Sequence, residues 1–347
     1  MKKDSVILIN LPTYVDNICS QSNYVNIISE ILGEEYDLVY TASENIIDPF
    51  VNEKTIIKLK HSKNTILRTF YYIKFYISVL LFLIRNPRVT VISFSESVLP
   101  FYLSRQFVIL HDLLQLDFPR SRLVWLFYRF WVVPLCRRAG KVITTSDSSR
   151  KRLLKSNINS DVVFRMYSKI DVPVVAKNDS PSDIYDAVFV GTLAKHKDFI
   201  SFAEAARSFS DRKFLAILPK RDCKSVEGLN IDNLTVFSEL TIDDYWMYLR
   251  SSSVFVSTSL DEGFGPIYDA ALVGIPSVVS DIPVYRELYS ECSLFFEPRS
   301  VSSLRQTLNN IFQNPPVSTD YSKLTEKVDG ARGVFKNIFI QFIKSKI

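Results

Sequence analysis

Glycine is scarce: 9 of 347 residues, against a usual share of about 7%. Only Gly33 and Gly140 precede position 191, which excludes a glycine-rich nucleotide loop after the first strand. Gly263, Gly265 and Gly274 fall within twelve residues of one another, so that stretch is where backbone can approach a ligand closely. Cysteine is sparse as well. Cys19, Cys136, Cys223 and Cys292 form no CxxC pair, which excludes a cysteine-built zinc site and reads as a reduced, intracellular protein without disulfides. Three histidines, His61, His111 and His196, give little material for a histidine cluster, and no metal is expected. Long apolar runs are also missing. The longest, Phe75 to Ile84, would span about 15 Å as a helix, half a bilayer core. It reads as a buried helix and not as a membrane span, with a helix lying at a membrane surface as the alternative. The opening MKKDSVILIN has too short an apolar stretch for a signal-peptide core and reads as a first buried strand.

The length suits two domains with two real cores. With 47% apolar and 23% charged residues, disordered and coiled-coil classes are excluded. The net charge of +5 hides a strong partition. Residues 1–53 carry a net −7, residues 54–170 a net +16 and residues 171–347 a net −4. The basic block contains RSRLVWLFYRFWVVPLCRR, where aromatics stand among Arg120, Arg122, Arg129, Arg137 and Arg138. Such a mixture suits an anionic membrane surface. Nucleic acid competes for the same feature but is not the expected partner, and a solvated helix face with inward aromatics is the structural alternative.

Short β-branched runs recur with helix-length segments between them: 6–10, 89–93, 107–110 and 141–145, then 187–190, 214–218, 234–237, 253–257 and 277–280. Apolar strands alternating with helices predict parallel sheets covered on both faces. A polar stretch with two prolines, 171–186, is the linker candidate. The expected organisation is therefore an N-terminal Rossmann-like domain over 1–172 and a C-terminal one over 173–330. Residues 331–347 read as an amphipathic helix open to packing back on the N-terminal domain, because Val334, Phe335, Ile338, Phe339, Phe342 and Ile343 recur at helical spacing. Ligands of such sheets bind beyond the carboxyl ends of the strands.

Three loops after strands carry candidate chemistry. In SVFVSTSLDEGFGPIYDAALVGIPSVVSDIP, Glu262, two glycines and a helix start near Pro266 describe a sugar-phosphate pocket. The alternative is a turn with ordinary helix caps. In VFVGTLAKHKD, Lys195, His196 and Lys197 follow Gly191 ahead of a helix near Phe199. They suit a diphosphate, or are a solvated turn. In FVILHDLLQLD, His111 follows a strand and is either structural or placed for a sugar hydroxyl and proton transfer. Ser146 is a helix-cap candidate.

The EGFG at 262–265, the GIP at 274–276 and the SVVSD at 277–281 resemble the signature of glycosyltransferase family 4, retaining enzymes of the GT-B fold that use nucleotide sugars. GTLAKHK at 191–197 and HDL at 111–113 are similar to the family's other loops. Two departures stand out: the second acid of the signature is Asp269, one residue early, and Thr192 stands where many members have Arg. The resemblance implies two parallel-sheet domains facing across a cleft and hexosyl transfer with retention, without a metal. It assigns the donor sugar to Glu262 and the backbone of Gly263, Phe264 and Gly265, and the ribose to Asp269. The diphosphate goes to Lys197, with Gly191, Thr192, Lys195 and His196 beside it, and the sugar's 6-hydroxyl to His111. The implied donor is GDP-mannose first, then a UDP-hexose or dTDP-rhamnose. The implied acceptor is a lipid-linked saccharide of bacterial surface polysaccharide assembly, which places the protein on the cytoplasmic face of the membrane. A non-catalytic subunit of this fold and a sugar-nucleotide epimerase or hydrolase are the alternatives.

Overall fold

The computed structural model describes residues 6–12, 20–164, 166, 185–262, 265–315 and 320–346. The chain divides into two compact units, Met1–Lys169 with Lys327–Ile347, and Ile170–Glu326. The linker candidate 171–186 lies, except for Tyr185 and Asp186, outside the described residues.

The first unit holds seven parallel strands: β1 (Val6–Asn10), β2 (Asp37–Ser43), β3 (Thr55–Leu59), β4 (Thr90–Phe94), β5 (Gln106–Ile109), β6 (Lys141–Thr144) and β7 (Asp161–Val162), in the order β3-β2-β1-β4-β5-β6-β7. The second holds six: β8 (Ala187–Val190), β9 (Phe214–Ile217), β10 (Leu234–Phe237), β11 (Phe255–Ser257), β12 (Ser277–Ser280) and β13 (Ser293–Phe296), in the order β10-β9-β8-β11-β12-β13. Both sheets are doubly wound. The order reverses between β1 and β4 in one and between β8 and β11 in the other, the places where such sheets open a crevice at their carboxyl ends. The nine predicted strands are all present. β2, β3, β7 and β13 were not among them.

Each strand of the first sheet sends alternate residues to opposite faces. Ile7, Ile9, Ile92, Phe107, Ile109 and Ile143 share one core with the helix Ser20–Leu32 and the C-terminal helix Ser322–Lys344. The tail helix is longer than the predicted segment and its aromatic stripe closes on the sheet. Phe335, Phe339 and Phe342 surround Phe107 with ring centroids at 5.7, 5.1 and 5.6 Å. Ion pairs from Arg332 to Glu30 (3.1 Å) and from Lys336 to Glu35 (2.7 Å) border the same contact. Leu8, Val91, Val108 and Val142 point to the other face, under the helix Thr65–Arg85 and the helical run 122–138.

The helix Thr65–Arg85 corrects the reading of the Phe75–Ile84 run as a buried helix. Asn64 caps it, its side chain accepting from the N–H of Ile66 at 2.9 Å, and the helix runs for 21 residues. By length and composition alone it is long and apolar enough to cross a membrane. Only Phe75, Val79 and Leu83 are buried.

Phe339→Ala removes a fully buried ring from the tail contact. It is expected to lower the unfolding free energy of the first unit by about 3–5 kcal/mol, read from urea melts. Val334→Ser, at an exposed position of the same helix, is expected to stay within about 0.5 kcal/mol.

Candidate active site

In the second unit the loops that follow β8 and β11 meet, at the point where the strand order reverses. The first of them leaves β8 through Gly191. A Cβ there would stand 3.1 Å from the Phe189 ring, so the turn passes close to the core and a larger residue would have to displace that ring slightly. Leu193 N–H donates to Asp222 Oδ2 at 3.0 Å, and Ala194 N–H donates to Thr192 Oγ1 at 3.3 Å. Lys195, His196 and Lys197 form one 3-10 turn, which ends at Asp198 in the left-handed region, and the helix Phe199–Arg207 follows. Lys195 is exposed, while His196 and Lys197 are half-buried.

The β11 loop is stitched to this turn by backbone. Leu260 N–H donates to the His196 carbonyl at 2.6 Å, and Thr258 Oγ1 donates to the Lys197 carbonyl at 2.8 Å. The same register brings Lys197 Nζ onto Glu262 Oε2 as an ion pair. Their side chains are 13% and 12% exposed, so water screens the pair little. Ser259 Oγ donates to the same carboxylate oxygen at 3.3 Å. Beneath it Tyr285 is fully buried, its hydroxyl 2.7 Å from Ser257 Oγ. Burial, with the negative charge of Glu262 second, holds the Tyr285 phenol well above its ordinary range and therefore neutral. Gly265 sits at φ +60°, and a Cβ on it would lie 3.3 Å from Glu262. This glycine both makes the turn and leaves room for the carboxylate. Gly263 and Phe264 lie outside the described residues.

A helix does start at Pro266, but it is the six-residue Ile267–Leu272, so the anion-binding character expected of a helix start rests on about one and a half turns. Asp269 stands in it, half-buried. Tyr245, from the helix Ile242–Arg250, donates its hydroxyl to Asp269 Oδ2 at 2.6 Å. No motif flagged Tyr245, which sits in an ordinary amphipathic helix. Asp222, Thr258, Ser259 and Tyr285 were likewise missed, since their roles arise only from tertiary packing of the two loops and the helices beside them.

His111 belongs to the first unit. It follows β5, and its ring meets Tyr24 edge-on with centroids 4.7 Å apart. Its carbonyl accepts from Thr144 Oγ1 at 3.1 Å, and the neighbouring Asp112 accepts from Leu114 N–H at 2.9 Å. Asn10 lies at the reversal point of this sheet. Buried at the end of β1, it accepts from Thr41 Oγ1 at 2.7 Å and donates to the Ser97 carbonyl. Arg120, Arg122, Arg129, Arg137 and Arg138 are all exposed. Ser146 caps its helix by accepting from Ser149 N–H at 3.0 Å.

Comparison with known proteins bears on this arrangement. Residues 174–328 match the family described as Glycosyl transferases group 1. The O-antigen chain mannosyltransferase RfbU of Salmonella typhimurium is 24% identical over 236 residues, 65% of this chain and 66% of that protein, just under two thirds of its length. Among solved structures, a sucrose-phosphate synthase from Thermosynechococcus elongatus superposes with a TM-score of 0.76 at 15% identity, covering 98% of this chain and all of that one. Anabaena HepE, in complex with UDP and glucose, superposes with a TM-score of 0.65 at 13% identity, covering 98% and 96%. Two doubly wound parallel sheets, and solved neighbours that share both, give the chain the GT-B fold, with residues 174–328 similar to Glycosyl transferases group 1.

Proposed function

We propose that the chain transfers a hexosyl unit, mannosyl first, from a nucleotide diphosphate sugar to a hydroxyl of a lipid-linked saccharide, with retention and without a bound metal. The setting is bacterial surface polysaccharide assembly, O-antigen or capsule, at the cytoplasmic face of the membrane. One observation carries the reading: Lys197 and Glu262 are paired at the reversal point of the second sheet, where a doubly wound sheet holds its ligand. The similarity to an O-antigen chain mannosyltransferase supports a mannosyl unit, and GDP-mannose is the donor proposed first. A UDP-hexose or dTDP-rhamnose is next, and the UDP complex of HepE is the support for the former.

In this reading the donor's diphosphate takes the ammonium of Lys197, with Lys195 and His196 beside it, and the sugar hydroxyls take the Glu262 carboxylate. The diphosphate leaves with growing negative charge, and a cation already fixed in place stabilises that charge without reorganising. The sugar passes through an oxocarbenium-like state, and the departing phosphate oxygen helps to take the acceptor's proton. Asp269 holds the ribose. The Tyr245 hydroxyl fixes one of its carboxylate oxygens, which makes Tyr245 a positioning residue. Arg120, Arg122, Arg129, Arg137 and Arg138 face the anionic membrane that carries the acceptor.

A panel of nucleotide sugars in a thermal-shift assay, followed by transfer onto a lipid extract, tests this. The cognate donor is expected to stabilise the protein by about 2.7 kcal/mol at one hundred times its Kd. Transfer is expected to survive EDTA and to be lost in Glu262→Gln and in Lys197→Ala. No response to any nucleotide sugar, or normal transfer by both variants, contradicts the reading, and sugar release without acceptor identifies a hydrolase instead. Tyr245→Phe is expected to raise the donor KM several-fold and leave kcat within about twofold, as loss of uniform binding does. An unchanged KM would remove Tyr245 from the site.

A further inference from the structure

The helix Thr65–Arg85 carries two apolar stripes. Phe75, Val79 and Leu83 pack on Leu8, Leu59 and Val91 of the first sheet. On the opposite side Ile66, Phe70, Ile73, Ile77, Leu81 and Ile84 recur at intervals of three and four residues, and every one of them is between 47% and 81% exposed. At 100° per residue these six lie along one line of the helix surface, with Lys74 and Arg85 on its flank. An exposed apolar stripe of this length, about 27 Å at 1.5 Å per residue, is a binding surface and not scattered surface hydrophobicity.

The helical run 122–138 covers the same face of the same sheet, since its Tyr128, Val132 and Val133 pack on Val108 and Val142, which point the same way as Leu8 and Val91 by strand register. It too leaves Leu123, Phe130 and Trp131 exposed. Between Lys60 and Arg88 stand six Lys or Arg, between Arg120 and Arg138 five more, and neither stretch contains an Asp or Glu.

From this we infer that the outer side of this helical layer is a membrane-binding surface, with the helix Thr65–Arg85 lying in the plane of an anionic bilayer, its exposed stripe among the acyl chains and its basic residues at the headgroups. The inference deepens the membrane location proposed above and does not rest on the identity of the donor. Charge selects the occupant. A second copy of this surface would bring two wholly basic patches together, whereas an anionic lipid surface complements one. Nucleic acid would engage the basic residues but gives six aliphatic and aromatic side chains nothing to bury against. The helix lies on the bilayer and does not cross it, because its inner stripe is already committed to the sheet and Arg68 and Lys74 interrupt the span.

The test is flotation of the full chain with vesicles of phosphatidylcholine alone and of equal parts phosphatidylcholine and phosphatidylglycerol. Binding is expected on the anionic vesicles, at least about tenfold above the neutral ones, and alkaline carbonate is expected to release it. Ile73→Glu with Ile77→Glu, both at exposed positions, is expected to lower binding about tenfold or more with an unchanged melting temperature and an unchanged thermal response to the cognate nucleotide sugar. Vesicle binding equal in the variant and the parent overturns the inference. So does a parent that is dimeric by light scattering and becomes monomeric in the variant, or one that carbonate cannot extract. If the thermal response to every nucleotide sugar is absent while anionic vesicles still bind, the donor reading fails and this surface stands.

Discussion

The ion pair between Lys197 and Glu262 organises the second unit's functional end. It joins the loop after β8 to the loop after β11, and these strands are neighbours across the reversal of sheet order. Backbone and hydroxyl bonds from Leu260 and Thr258 set the register, and Gly265 in a left-handed turn leaves the carboxylate its room. A cation and an anion held at the same place with little water suit a donor that carries both a negative diphosphate and neutral hydroxyls. Neither charge could be buried alone without a large desolvation cost, so the pair also keeps the site stable when no ligand neutralises it.

Apart from the half-buried edge strand β10, the strands visible in the sequence were interior ones, where short apolar, β-branched runs stand out. The ones not anticipated mostly lie where that pattern fails. β3, β7 and β13 are edge strands; β3 alternates Ile56 and Lys58 outward, and β7 has two residues. β2 is interior, but it carries Thr41 and Ser43 into the core, where Thr41 bonds Asn10. Those polar residues broke its apolar pattern even though their hydrogen bonds make their burial acceptable.

The site shows the same division. Glu262 stood out beside two glycines and a helix start, a pattern that an ordinary turn shares, and Lys197 was distinguished from Lys195 and His196 by the family resemblance alone. Tyr245 could not be located, because its bond to Asp269 joins segments 24 residues apart through tertiary packing alone. The helix Thr65–Arg85 was misjudged for a physical reason. A helix apolar on both sides reads as buried, and only the packing of one side reveals that the other is left to solvent. The basic stretches around it belong to the block whose charge the modest overall net value conceals.

The most direct test of the central claim is a double-mutant cycle on the unfolding free energy of the second unit, using Lys197→Met, Glu262→Gln and both together. The account predicts that each single change costs about 3–5 kcal/mol, as expected when one partner of a buried pair is left uncompensated, and that the double costs clearly less than their sum. Additive effects within about 0.5 kcal/mol would contradict it, for they would mean that the two loops are not held by this pair.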